Sequence, residues 1–223
     1  MNWIKESSYR SKKLRNHYKL HEIDIFIKDA LPDHINPDMV FSYISKSIPS
    51  IFLKNVDIIY VGNFESFKEK NVNAIFEDGA IYVTNDQDND QDLIDDIIHE
   101  IAHAVEERYV DFLYKDQLIK KEFLGKRKRL YWVLQTNDYK PHSKIQSDYH
   151  YDQETDMYFY KDVGYDSMWH IINGLFLTPY STTSLREYFA VGFEEYYIGD
   201  RASIKNICPI LYSKLSELDS LED

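Results

Sequence analysis

Between Asp92 and Glu107 the apolar residues Leu93, Ile94, Ile97, Ile98, Ile101, Ala102 and Val105 recur at three- and four-residue spacing. That period predicts a helix with one face in the core. Its opposite face carries His99, Glu100 and His103. Elsewhere the pattern predicts helices over Ile23–Leu31 and Pro37–Ile48, the second opening at Asn36 with Pro37 in its first turn. Val56–Val61 reads as a strand ended by Gly62. Ala74–Phe76 and Ala80–Thr84 flank Glu77-Asp78-Gly79 as a hairpin, because Asp-Gly accepts positive φ. The all-polar run Asn85–Gln91 reads as a loop in which Asn89 or Asp90 caps the helix that follows.

Beyond that helix, Tyr109–Leu134 has a helical pattern with a break at Gly125. Thr136–Asp166 is rich in Tyr, Asp and His and has little periodicity. It reads as an insertion or lid, with Tyr158–Tyr160 as a short strand. Met168–Leu177 and Leu185–Tyr197 read as helices separated by Pro179, the second stopped by Gly199. Ile204–Leu218 supplies a closing helix.

At 223 residues, 43% hydrophobic and 15% aromatic, the chain has enough apolar side chains for one domain with a sizeable core. No repeat, linker or low-complexity tract divides it. A single cysteine, Cys208, rules out an internal disulfide. The first twenty residues carry Lys5, Arg10, Lys12, Lys13, Arg15 and Lys19 without the apolar run of a signal peptide, so the expected location is the cytoplasm or outside the cell by a non-Sec route. No stretch is long and apolar enough to span a membrane. A formal net charge of −12 argues against nucleic acid as a partner. Lys120-Lys121 and Lys126-Arg127-Lys128-Arg129 are a local exception, read as a solvated helix face or as a patch for an anionic partner.

His99-Glu100-Ile101-Ala102-His103 is the H-E-x-x-H pattern. Residues four apart share a helix face, so both imidazoles can reach one Zn²⁺ while Glu100 points toward its open side. Catalytic zinc has three protein ligands plus water, so a third ligand must come from downstream: His142, His150, His170, Glu187, Glu194 or Glu195. The six-residue spacing of a third metzincin histidine falls on Tyr109, which excludes that class. Glu187 opens the best of the later helices. Ser184-Leu-Arg-Glu187 also has the spacing of a capping box, which gives Glu187 a purely local use. Asp95, Asp96, Glu106 and Glu107 lie three or four residues from the histidines, close enough to orient an imidazole.

Taken together, His99-Glu-Ile-Ala-His-Ala-Val105, Tyr180, Glu187-Tyr-Phe-Ala-Val-Gly-Phe-Glu-Glu-Tyr196 and a charged segment leading into Pro209 resemble the catalytic domain of anthrax toxin lethal factor and its relatives. Those are zinc endopeptidases of the gluzincin type. The resemblance is strong over Asp92–Val105 and Tyr180–Leu215, reaches fold level from about Val56, and leaves 1–50 and 136–166 unmatched. It implies one zinc held by His99, His103 and Glu187, Glu100 as the base, and Tyr180 as the residue that stabilises the oxyanion. It departs at Val191, where the family often has a second acid.

The expected fold is therefore α+β and zincin-like. A small mixed sheet packs on the H-E-x-x-H helix, and the C-terminal half is mostly helical. One domain spans 1–223, with 1–50 as an N-terminal helical extension. The expected activity is zinc-dependent hydrolysis of a peptide bond in a protein or peptide bound as an extended strand. The competing expectation is a catalytically silent or weakly active zincin-fold domain that serves binding or accompanies a toxin.

Overall fold

The computed structural model describes residues 17–70 and 72–220, apart from the side chains of 68–70. The chain is mixed α+β and forms two compact units divided between Val105 and Glu106.

The first unit is built on one five-stranded mixed sheet. Its strands are β1 (His17–Leu20), β2 (Ile23–Ile27), β3 (Ile58–Gly62), β4 (Ala74–Glu77) and β5 (Ala80–Thr84), in the order β1-β2-β3-β5-β4. The outer pairs β1–β2 and β4–β5 are antiparallel, and the inner pairs β2–β3 and β3–β5 are parallel. Ile25, Ile59 and Ile81 stand in register on one face and are fully buried. On the other face His17, Phe26, Tyr60 and Tyr82 form a row one residue deep. Their rings stack at 4.9, 6.1 and 5.5 Å between centroids, so cross-strand packing holds the register on both sides of the sheet.

The expected helix over Ile23–Leu31 is instead strand β2. Ile-Asp-Ile-Phe-Ile alternates core and solvent, and the period of two prevails once His21, at φ 52°, turns the chain back along β1. Among the described residues, the stretch expected to be a helical extension thus supplies two strands to the sheet and one α-helix, α1 (Pro37–Ser47). That helix begins as expected at Asn36, whose side chain accepts from Met39 N. The basic residues Lys5 to Arg15 lie outside the described residues. The hairpin also forms as expected, with Asp78 at φ 50° and Gly79 at φ 78°.

Helix α2 (Glu65–Lys70) precedes the hairpin, and helix α3 (Asp90–Arg108) follows it. Asn89 is the cap of α3, its side-chain oxygen accepting from Gln91 N at 2.8 Å and Asp92 N at 3.1 Å. The predicted apolar stripe of α3 is buried throughout.

In the second unit, α4 (Val110–Tyr114) and α5 (Leu118–Thr136) replace the single interrupted helix. The break falls at Gln117, φ 62°, and not at Gly125. A glycine on an exposed helix face costs about 1 kcal/mol, and the buried row Ile119, Phe123, Arg127, Leu130 and Leu134 outweighs it. Residues 136–166 contain a turn (Ser143–Gln146), the helix α6 (Gln153–Met157) and a π-helical turn (Tyr158–Val163) where a strand was expected. Phe159 in that turn is fully buried; successive residues there face in helical and not alternating directions.

Helix α7 (Tyr165–Ile171) ends before Gly174, whose φ of 69° stops the helix short of the expected Leu177. Helix α8 (Leu185–Tyr197) has the predicted bounds. The closing helix is two, α9 (Arg201–Ile207) and α10 (Pro209–Ser220), because Pro209 has no N–H to continue the first and is well suited to start the second. A Cβ at Gly192 would overlap the Leu211 side chain, so any larger residue there requires Leu211 of α10 to move. No described helix is long and apolar enough to cross a membrane.

Candidate metal centre

Helix α3 sets His99 and His103 one turn apart, with ring centroids 4.8 Å apart and planes at 87°. Among the described residues, His99, His103 and Glu187 form a group whose potential ligand atoms all lie within 4.8 Å of one another. Donors at bond lengths of about 2.0–2.1 Å around one tetrahedral ion are about 3.4 Å apart, inside the spread found here. Two imidazole nitrogens and a carboxylate oxygen are borderline donors suited to zinc and its first-row neighbours. His103 and Glu187 are 6% and 8% exposed. A cation held there would offset the cost of burying the carboxylate. The residues present therefore fit a metal ion.

Glu187 takes part in a helix cap and in this group with different atoms. Its backbone N–H donates to Ser184 Oγ at 3.1 Å, closing the start of α8, while its carboxylate belongs to the metal-competent group. Ser184 is thus the cap that the capping-box spacing predicted. The other candidates lie elsewhere. His142 Nε2 is 3.4 Å from Thr155 Oγ1, the His150 ring lies against that of Tyr149 with centroids 4.0 Å apart, and His170 is exposed in α7. Glu195 accepts from Asp200 N at 3.1 Å.

Glu100, 6% exposed, is next to His99 on the helix and accepts from the backbone N–H of Phe76 at 2.6 Å. That bond joins α3 to β4, the edge strand of the sheet, and restricts where the carboxylate can point. Sequence reading missed this contact, because a backbone donor has no residue-type signal. Tyr180 opens a 3₁₀ turn (Tyr180–Thr182) just before α8. It is 41% exposed, and its carbonyl accepts from Thr183 Oγ1 at 2.8 Å.

Of the four acids spaced to orient an imidazole, Asp95, Asp96 and Glu106 are half-buried. Burial pushes the Asp96 carboxyl up to about 6, against the hydrogen bond from Gln87 Nε2 at 2.9 Å and the neighbouring His99. Burial likewise raises Glu106, whose carboxylate accepts from Tyr114 Oη and lies near both Arg186 and Glu187. Asp95 accepts from Gln91 Nε2 at 2.7 Å, and Glu107 is exposed.

The basic run is not wholly a solvated face. Lys126 Nζ donates to the carbonyls of Leu175 and Ile207, and Arg127 is 1% exposed inside the second unit. Comparison with protein-family models, with curated proteins and with solved structures gives no match.

Proposed function

We propose that the protein is a zinc-dependent endopeptidase. The observation that carries this reading is the convergence of His99, His103 and Glu187, with Glu100 adjacent on the same helix and held by Phe76 N–H. The sequence resemblance to the lethal factor family, carried by the same residues together with Tyr180, agrees with this reading. Zinc held by the three residues would supply Lewis acidity toward a carbonyl oxygen and toward water, whose pKa such an ion lowers to about 7. Glu100 takes a proton from the attacking water and delivers it to the departing amine, so the base becomes the acid of the second step. The Phe76 N–H keeps that carboxylate directed while it does so. Tyr180 donates a hydrogen bond to the oxygen on which charge develops. The substrate is a peptide in extended form, paired along the open edge of β4.

A catalytically silent binding domain is the rival, and Glu100→Gln separates the two. The wild-type protein should bind one zinc per chain, and His99→Ala and His103→Ala should abolish that binding. Glu100→Gln should keep the zinc and lose cleavage of a diverse peptide library read by mass spectrometry. A wild-type protein that binds zinc but cleaves nothing in the library leaves the binding-domain reading standing, and wild-type turnover by Glu100→Gln removes Glu100 from the reaction.

A further inference from the structure

We propose that Arg127 is a positioning residue for Glu187, acting through the carbonyl of Thr183; this rests on the reading of His99, His103 and Glu187 as a metal site. Arg127 sits on α5 within a basic run whose other members include exposed residues, yet its side chain is 1% exposed. Nε donates to the carbonyl of Ile145 at 2.6 Å and Nη1 to the carbonyl of Thr183 at 2.9 Å. Thr183 directly precedes Ser184, the cap that receives Glu187 N–H. A parallel bond, Leu185 N–H to Tyr149 carbonyl at 2.8 Å, ties the same helix start to the same 145–149 segment.

The turn held in this way is closed on itself. Ser181, Thr182, Thr183 and Ser184 are at most 1% exposed, and the three hydroxyls of Ser181, Thr182 and Thr183 donate to carbonyls three residues back. Such a unit moves as one piece, so wherever Thr183 goes Glu187 follows. Metal sites tolerate ligand displacements of about 0.2 Å, far less than a fold does. The planar guanidinium has donors in a fixed fork and can hold two carbonyls at once. A lysine ammonium is a point charge on a flexible stem. Burial of a guanidinium is costly, and fixing the start of the ligand-bearing helix gives that burial a purpose beyond stability.

Lys126 provides a matched control. It too donates to two backbone carbonyls, those of Leu175 and Ile207, neither of which belongs to the 181–184 turn that starts α8. Zinc affinity by chelator competition and the visible absorption of the cobalt(II)-loaded protein are measured for wild type, Arg127→Lys, Arg127→Met and Lys126→Met, with folding checked by circular dichroism at the assay temperature. Arg127→Lys and Arg127→Met should lose about 10–100-fold in zinc affinity, the range for removing a partner that orients a ligand, with an altered cobalt spectrum. Lys126→Met should lower the melting temperature and leave both metal readouts unchanged.

Hydrogen exchange of the wild type with and without zinc needs no variant to fold. Zinc should slow exchange in 144–149 as well as in 183–188. Wild-type affinity and spectrum in a folded Arg127→Lys, or zinc protection confined to 183–188, would overturn the positioning role. A wild type that binds no zinc would instead remove the metal site itself.

Discussion

Glu187→Gln tests the metal centre most directly, because the structure separates what the residue does for its helix from what it does for a metal. The cap bond runs from the backbone N–H of Glu187 to Ser184 Oγ and survives the substitution. What the helix loses is a negative charge in its first turn, about 0.3–1 kcal/mol. That loss is offset by relief of the repulsion between Glu187 and Glu106, one of the reasons the Glu106 carboxyl is raised. Metal-free Glu187→Gln should therefore stay within about 1 kcal/mol of wild type, or about 2–4 °C in melting temperature for a chain of this size.

Zinc affinity should fall by at least about 100-fold, since losing a ligand exceeds the 10–100-fold cost of losing a group that merely orients one. At 1.4 kcal/mol per tenfold this is about 2.8 kcal/mol or more. Chelator competition on Glu187→Gln, Glu194→Gln and Glu195→Gln, beside thermal melts of the metal-free proteins, gives both numbers. The reasoning fails if Glu187→Gln binds zinc within tenfold of wild type, or if Glu194→Gln loses as much.

Tyr180→Phe should keep the fold, the zinc and near-normal KM while kcat drops by about 10²–10³, the effect of removing one donor to a developing oxyanion. Tyr188→Phe should do the reverse, because Tyr188 is fully buried with its hydroxyl donating to Glu122 at 2.9 Å: stability falls by about 1.5–3 kcal/mol and kcat holds. Equal kcat in the two variants would exclude Tyr180. Asp96 gives a pH signature in the metal-free protein. Its folded pKa of about 6 lies above the ordinary 3.8, so its contribution to stability is complete below about 3.8 and is lost as pH rises through 6. Two units correspond to at most about 3 kcal/mol, reduced to about 1–2 by partial exposure. Urea unfolding should show Asp96→Asn more stable than wild type at pH 7.5, with the gap closing near pH 4; a gap that does not change with pH contradicts this.

The metal group was legible because its residues sit on helices whose apolar faces repeat strongly. Leu93 to Val105 fixes which face of α3 holds the histidines, and Ser184 fixes where α8 begins. Ile23–Ile27 was misread because a five-residue apolar alternation next to helix-compatible residues fits both periods, and only the partners β1 and β3, distant in sequence or across a tight turn, decide between them. Arg127 was misread for a different reason. Charge on a helix is normally a sign of solvent, and nothing local says that the carbonyls of Ile145 and Thr183 will need donors. Gly125 shows the limit of glycine as punctuation, since burial on the opposite face of α5 carried the helix through it.

The bond between Glu100 and Phe76 also has a consequence for self-association. Thr84 N–H donates to the Asn73 carbonyl at 2.8 Å, so residues 73, 75 and 77 pair with β5, and alternation turns the backbone groups of Ala74 and Phe76 to the open edge. With the Phe76 N–H held by Glu100, that edge offers one donor, at Ala74, against two carbonyls. Two copies of such an edge can exchange fewer bonds than two intact edges, because each carries a surplus of acceptors. The carboxylate thus takes one pairing donor from an edge strand and makes edge-to-edge pairing, which leads to aggregation, less favourable. Weakening it by Glu100→Gln loosens that protection, and the activity of that variant is properly read on its monomeric fraction.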